Sequence, residues 1–435
     1  MRGLTQDFDS EQFYQAVLTR DARFDGHFFT AVKTTGIYCR PVCRVRVPLA
    51  KNCLFFLSAA LAESNGFRPC LRCRPELAPH VLPNWSIQDA SQILALQAAQ
   101  LIDKSVAVND TSLTISSFAE RLGISERHYS RIFKQHICVS PSQYRQTRRL
   151  LLAKQLLGDT TLPIQLISKL SGFTSQRRLN TVFAAQYKLT PSACRKGIQS
   201  ARHANITLSY RPPYDVQSVL HFFALRAVPG LERLNTESDG SASFARIFQI
   251  QIDGHRHIGW IQLQFEGSAH RVSVGLSDTL LPVLPAVLQQ IRWALDLDAD
   301  CKTIDEVLKT DFPQCLGWRV PGAWDGFETA VRAILGQQIT VAAAKTLTKR
   351  LVSTFGMLVS TPWPELTHAF PTPQALLQAN PDELGQLGIV KQRQKAIQAL
   401  AHAVMLEGLD LNPGPQLSNT FEALMRLPGV GDWTA

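Results

Sequence analysis

The 435-residue chain lacks any apolar run of the roughly 18–20 residues that a membrane-spanning helix needs. The longest, around Cys53–Ala62, is far shorter and is interrupted by Ser58. Met1–Gln12 is polar and acidic, so it has neither the basic nor the apolar part of a secretory signal. Membrane-spanning and secreted classes are thereby excluded, and a cytoplasmic protein is expected. No disulfide framework is expected: nine cysteines are an odd number, and no leader directs the chain to an oxidising compartment. Charged residues are sparse at 18%, yet apolar residues at 45% suffice for ordinary cores, which excludes a disordered chain. Acidic residues are scarcest over 81–200, where six stand against fifteen Lys/Arg. Residues 1–80 have seven against eleven, and 201–435 reverse the balance with 22 against 19. The net +10 therefore sits in the first half. So dense a basic segment is the electrostatic footprint of a nucleic-acid partner, although a solvated helical surface carries the same signature.

At about 150 residues per domain, the length predicts roughly three domains. Residues 1–80 read as irregular, with five cysteines and Pro41, Pro48, Pro69, Pro75 and Pro79. Residues 84–197 read as helical. Period-2 strands follow, where Phe248, Ile250 and Ile252 alternate with Gln249 and Gln251, and Ile261, Leu263 and Phe265 with Gln262 and Gln264. Helical patterns broken by Pro/Gly clusters such as 412–415 complete the chain. Linkers are expected at Pro79–Pro83 and Gly197–Asn205.

Cys39-x3-Cys43 and Cys70-x2-Cys73 are two close pairs, a strong signal for one Zn²⁺ held by four thiolates. Arg40, Arg44, Arg46, Arg68, Arg72 and Arg74 surround them, and Cys53 reads as a small buried hydrophobe. The same spacing suits a closed zinc knot that only folds its domain, and spacing does not say which sulfur reacts. The runs Arg23-Phe24-Asp25-Gly26, Thr34-Thr35-Gly36-Ile37-Tyr38-Cys39-Arg40-Pro41-Val42-Cys43 and Gly66-Phe67-Arg68-Pro69-Cys70-Leu71-Arg72-Cys73 resemble the N-terminal domain of the Ada-type methyl-acceptor regulators. The resemblance implies that Cys39 takes a methyl group from a DNA methylphosphotriester. Zinc keeps such a thiolate deprotonated, and its conversion to a thioether removes one negative charge near the phosphate backbone.

Thr114 to Ser125 reads as helix, glycine turn and cap, followed by a helix over Glu126–Gln135 that buries Tyr129, Ile132 and Phe133 and leaves Arg127, His128, Arg131 and Lys134 elsewhere. A second copy runs from Ile164 through Ser175 into a helix over Gln176–Tyr187 that offers Gln176, Arg177 and Arg178. One such copy occurs in many helical bundles. Two with basic second helices favour DNA, each helix entering one of two successive major-groove segments. The run Arg131-Ile132-Phe133-Lys134 to Ser140-Pro141-Ser142-Gln143-Tyr144-Arg145 resembles the AraC-type DNA-binding domain.

Residues 207–435 resemble 3-methyladenine DNA glycosylase II of the AlkA type, through Tyr210–Asp215, Phe327–Val341, Leu387–Ile389 and Leu427-Pro428-Gly429-Val430-Gly431-Asp432-Trp433-Thr434-Ala435. The last run is the hairpin of a helix-hairpin-helix element. Gly429 and Gly431 permit positive φ and let backbone N–H groups approach a phosphate without reading sequence. The family resemblance implies base flipping, a wedge at Gln337 or Gln338 and a base pocket at Trp433. The family's catalytic aspartate falls one helix and a loop beyond the hairpin and is expected to be absent from this chain, which reads as C-terminally truncated and deficient in excision.

The expected fold is multidomain α+β, with a small zinc-bound α/β methyl-acceptor domain (1–80) and an all-α double helix-turn-helix domain (84–197). An α+β glycosylase N-terminal subdomain (205–312) and an incomplete α-helical helix-hairpin-helix domain (313–435) follow. Expected partners are alkylated double-stranded DNA, a promoter operator and RNA polymerase, with no membrane. The alternative function is a non-catalytic AraC-type regulator with a structural zinc and a degenerate glycosylase fold.

Overall fold

The computed structural model describes residues 10–81, 89–110, 112–199, 206–236, 242–252, 254–412 and 417–435. Residues 82–83 and 200–205 of the expected linkers, and 413–415 of the Pro/Gly cluster, lie outside these residues.

Residues 10–81 are regular rather than irregular. Helix α1 (Ser10–Thr19) precedes β1 (Phe29–Val32), β2 (Ile37–Cys39), β3 (Cys53–Phe56), α2 (Ala59–Ser64) and β4 (Arg68–Pro69). The sheet order is β3-β1-β2-β4; β1 is antiparallel to both neighbours, and β4 runs parallel to β2. Period-2 patterning was absent for a physical reason. The strands have two to four residues and are covered on both faces. Phe28, Cys53 and Phe55 pack with Phe13 and Val17 of α1, while Phe29, Ala31, Tyr38 and Phe56 face the helical block. A strand buried on both faces has no polar side to alternate with.

The helical block comprises α3 (Ala90–Ala107), α4 (Ile115–Arg121), α5 (Glu126–Ile137), α6 (Pro141–Asp159), α7 (Ile164–Leu170), α8 (Gln176–Tyr187) and α9 (Pro191–Gln199). Gly123 (φ +67°) and Gly172 (φ +73°) turn the chain between α4 and α5 and between α7 and α8. Ser125 and Ser175 cap α5 and α8 by accepting from the N–H groups of His128 and Arg178, each at 3.2 Å. Helix α6 starts with Pro141 at its first position and a Ser140/Gln143 capping box, and it joins the two pairs.

The rest begins with β5 (Ile206–Ser209), α10 (Val216–Arg226), β6 (Glu232–Thr236), β7 (Ala242–Ile252), β8 (His255–Glu266) and β9 (Arg271–Leu276), forming an antiparallel sheet of order β5-β9-β8-β7-β6. Then come α11 (Leu284–Ala294), α12 (Cys301–Leu308), α13 (Gly326–Gly336), α14 (Val341–Phe355), α15 (Pro373–Gln378), α16 (Pro381–Gln386), α17 (Lys391–Leu406) and α18 (Leu417–Met425). In β7 the alternation holds only at its second end. Phe244 and Phe248 pack on one face of the sheet, but Ala245 and Ile247 are equally buried on the other, beneath Phe327 and Val331 of α13.

Cores ignore the sequence blocks. One apolar cluster joins Leu150–Cys194 of the helical block to Ile206–Trp324, and another joins the first sheet to α3, α5 and α6. A polar knot sits where the blocks meet. Arg211, 1% exposed, donates to five carbonyls: Asp25 (2.8 Å), Pro79 (3.2 Å), His80 (2.6 Å), Asp298 (2.8 Å) and Ala299 (3.1 Å).

Candidate metal centre and nucleic-acid interface

Parallel pairing of β2 with β4 sets Tyr38 opposite Pro69 and so delivers Cys39 and Cys70 side by side. Cys70 N–H donates to the Tyr38 carbonyl at 3.0 Å, and Cys43 N–H to that of Arg40 at 3.1 Å, which folds each chain back toward the pair. The Sγ atoms of Cys39, Cys43, Cys70 and Cys73 all lie within 4.8 Å of one another. A tetrahedron with bonds of about 2.3 Å separates its sulfurs by about 3.8 Å, so this cage fits one Zn²⁺ with a four-thiolate donor set. Arg40 N–H points at Cys73 Sγ (3.3 Å) and Arg72 N–H at Cys70 Sγ (3.4 Å), donors that suit sulfur carrying negative charge. Cys39, Cys43 and Cys70 are buried, whereas Cys73 is half-buried. Cys53 is buried on β3, outside the cage.

Five of the six arginines around the cage divide into two groups, and the sixth, Arg68 on β4, is half-buried. Arg40 is buried, pairs with Asp25 (Nε to Oδ1, 2.9 Å) and donates to the Cys73 carbonyl at 3.2 Å. Arg74 is also buried and pairs with Glu76 (2.9 Å) and with Asp159 of α6. Arg44, Arg46 and Arg72 are exposed. The exposed group is open to solvent. Glu63, at the end of α2, is buried and accepts from Tyr38, Tyr187 and Thr147. Burial pushes its carboxyl up to about 7, against the hydroxyl donors and Lys154, which pull it down. His27, beside the Arg211 knot, is held down at about 4 by burial and then by the Arg211 charge. Sequence reasoning missed Glu63, and it gave no partner to Asp25 or Arg74. Asp25 lies in a quoted motif, but pairings across 15 to 124 residues leave no periodic trace.

In the helical pairs, Arg127, Arg131 and Lys134 of α5 are exposed, and His128 is half-buried with its Nδ1 3.0 Å from the Arg131 guanidinium. Gln176, Arg177 and Arg178 open α8 and are exposed. Tyr129, Ile132, Phe133, Leu179 and Phe183 lie underneath, so each second helix shows a polar face over an apolar one.

At the far end, Gly429 takes φ +77°, while Gly431 does not adopt a positive φ. Thr434 and Ala435 instead donate to the Gly431 carbonyl (2.8 and 3.0 Å). Among the described residues, the N–H groups of Gly429, Gly431, Asp432 and Trp433 donate to no protein acceptor, the condition for a backbone anion site. Gln337 and Gln338 are separated in role by geometry. The Gln337 side-chain amide donates to the Gly429 carbonyl (2.8 Å) and Thr434 Oγ1 (3.0 Å), and the Gln337 main-chain carbonyl accepts from Arg393. Gln338 is exposed at φ +54°. Trp433 is fully exposed. No helix among the described residues is long and apolar enough to cross a membrane.

Comparison with known proteins gives four family matches: the metal binding domain of Ada over residues 12–76, a helix-turn-helix domain over 118–197, the AlkA N-terminal domain over 205–325 and the HhH-GPD superfamily of base excision DNA repair proteins over 331–430. A probable bifunctional transcriptional activator/DNA repair enzyme AlkA of Mycobacterium tuberculosis is 34% identical over 98% of this chain and 85% of its own length. DNA-3-methyladenine glycosylase 2 of Escherichia coli is 32% identical over 53% of this chain and 77% of its own length. The bifunctional transcriptional activator/DNA repair enzyme Ada of Escherichia coli is 36% identical over 32% of this chain and 36% of its own length.

Proposed function

The chain belongs to the bifunctional transcriptional activator/DNA repair enzymes, and on that premise we propose that Cys39 takes the methyl group of a DNA methylphosphotriester, once per molecule. The convergence of four sulfurs at the end of β2 carries this reading. Bound zinc would keep the sulfurs as thiolates at neutral pH. The Cys39 sulfur attacks the methyl carbon in line. An S–C bond forms as the C–O bond breaks, and the electron pair leaves on the phosphate oxygen, restoring a diester. The product is a thioether, a stable end point. One negative charge is lost beside the phosphate backbone, which the exposed Arg44, Arg46 and Arg72 then hold more tightly. Helices α5 and α8, through Arg127, His128, Arg131, Lys134, Gln176, Arg177 and Arg178, read a promoter operator, and the methylated protein activates transcription there with RNA polymerase, in the cytoplasm at the nucleoid.

For base excision we assign the grip to the free N–H groups around Gly429 and Gly431, the wedge to Gln338, and to Gln337 the bracing of the hairpin. Trp433 contacts the flipped base only with DNA present. We assign the catalytic carboxylate of base excision to none of residues 1–435; Asp432 is exposed and belongs to the hairpin. The four sequence blocks, 1–80, 84–197, 205–312 and 313–435, divide these tasks. The test is mass spectrometry after incubation with methylphosphotriester DNA. One methyl on Cys39 is expected; a methyl on Cys43, Cys70 or the more exposed Cys73 would remove the role given to Cys39. Excision of 3-methyladenine by residues 1–435 is expected to stay at background, and substantial release would place the carboxylate within them.

A further inference from the structure

Resting on the acceptor reading above, we propose that Glu63 is the positioning residue through which the state of the sulfur cage reaches the second reading helix. Tyr38 Oη (2.9 Å) and Tyr187 Oη (3.0 Å) both donate to Glu63 Oε1, and Thr147 Oγ1 donates to Oε2 (2.8 Å). The Gln186 amide donates to the Glu63 main-chain carbonyl at 3.1 Å. Each partner stands at a significant place. Tyr38 precedes Cys39 on β2, Tyr187 is the last residue of α8, and Thr147 lies on α6, which joins the two helix pairs. One buried carboxylate therefore ties the acceptor strand to one reading helix and to the joining helix. The other end of the cage has a parallel tie, since Arg74, next to Cys73, pairs with Asp159 of α6, and Glu76 with Lys154 of α6. Among the described residues, α5 makes no hydrogen bond to Glu63.

Packing makes a methyl on Cys39 detectable at this carboxylate. Cys39 is 9% exposed, and its three neighbouring sulfurs lie within 4.8 Å. A methyl carbon needs about 3.5–4.0 Å to each non-bonded neighbour, so the cage must give, either at the Cys39 side chain or along β2. Tyr38 has no freedom to absorb such a shift alone. It is fully buried, with Phe29 edge-on at 5.6 Å. Close-packed interiors move between discrete arrangements rather than deforming continuously, and the shared oxygen delivers the movement to Tyr187. This contribution acts on α8 and leaves α5 alone. It also persists in salt, whereas the gain from lost negative charge is screened.

The experiment uses the full zinc-loaded chain without DNA bound, at high salt. The methyl is placed in two ways, from a methylphosphotriester duplex and directly from methyl iodide, and mass spectrometry locates it. Hydrogen exchange is then read on α8 and α5. In the wild type, methylation of Cys39 is expected to change exchange in α8 by at least about fivefold, the lower end of couplings measured between distant sites, with α5 unchanged. Tyr187→Phe and Glu63→Gln are expected to accept the methyl and to lose the α8 response. A merely structural role would raise exchange in both states and keep their ratio. An unchanged α8 in the methylated wild type, or a full response in Tyr187→Phe, overturns the proposal. Failure of transfer from the duplex alone counts against the acceptor reading, and the iodide-methylated chain still decides the coupling.

Discussion

Replacing Arg211 by Met should loosen the first sheet from the glycosylase-like part. The guanidinium is fully buried and meets no carboxylate within hydrogen-bonding distance; its five bonds all go to main-chain carbonyls of three segments distant in sequence. Methionine fills much of the volume but leaves those carbonyls without a donor. Each bond to a charged donor is worth about 1.5–3 kcal/mol, and water entering the gap recovers part of the total, so a net loss of about 3–5 kcal/mol is expected. Arg211→Lys should lie between, because three donors on one nitrogen cannot fan out to five acceptors. Calorimetry should show the first unfolding transition lowered by several degrees. A second readout is electrostatic. His27 stands at about 4 because burial, and next Arg211, oppose its charge; in Arg211→Met its NMR titration should move up toward the ordinary value of about 6.5 without reaching it, since burial remains. An unchanged transition together with an unmoved His27 would refute the reasoning.

Chelation should remove one zinc and unfold residues 10–81 first, while Cys53→Ser, outside the cage, keeps full metal content by atomic absorption. Glu63 holds its proton in the folded chain up to about 7, so its contribution to stability is complete below the ordinary carboxyl pKa and falls, by up to about 3 kcal/mol, as pH rises from about 4.5 to 7. His27 and His80, both held down by burial, act in the opposite sense, so the urea-unfolding difference between wild type and Glu63→Gln isolates the Glu63 slope; a flat difference would show that the carboxyl is ionised throughout. Gly429→Ala keeps ordinary contacts, with the nearest atom 3.5 Å from the new Cβ, but at φ +77° it costs about 1–2 kcal/mol of backbone strain. It should weaken binding to unrelated duplexes uniformly, and a change confined to one sequence would count against a phosphate contact.

What was legible in the residues was local. Cysteine spacing announced the metal cage, Ser125 and Ser175 announced the starts of α5 and α8, and Ile261 and Leu263 announced a half-buried strand. Short strands packed on both sides were not legible, because Phe29, Thr30 and Ala31 are all buried and alternate with nothing. The sharing of functions between adjacent residues was equally hidden. Gln337 and Gln338 look equivalent in the chain, and only the left-handed turn at Gln338 separates a bracing amide from a projecting one. Nor did any pattern show that Arg40 and Arg74 are occupied by carboxylates while Arg44 and Arg72 lie exposed.

The core that runs from Leu150–Cys194 into Ile206–Trp324 has a consequence for synthesis. A ribosome delivers the helical block first, with the apolar face of α3 already formed, yet α11, which packs on α3, is encoded about 180 residues later. At about 5–20 residues per second, the nascent chain carries that apolar face uncovered for many seconds. The helical block therefore reaches its final packing only after the second sheet has emerged. Nascent chains stalled before the second sheet should bind trigger-type chaperones, and a chain ending near residue 199 should be less soluble than the same helices joined to β5 through α11.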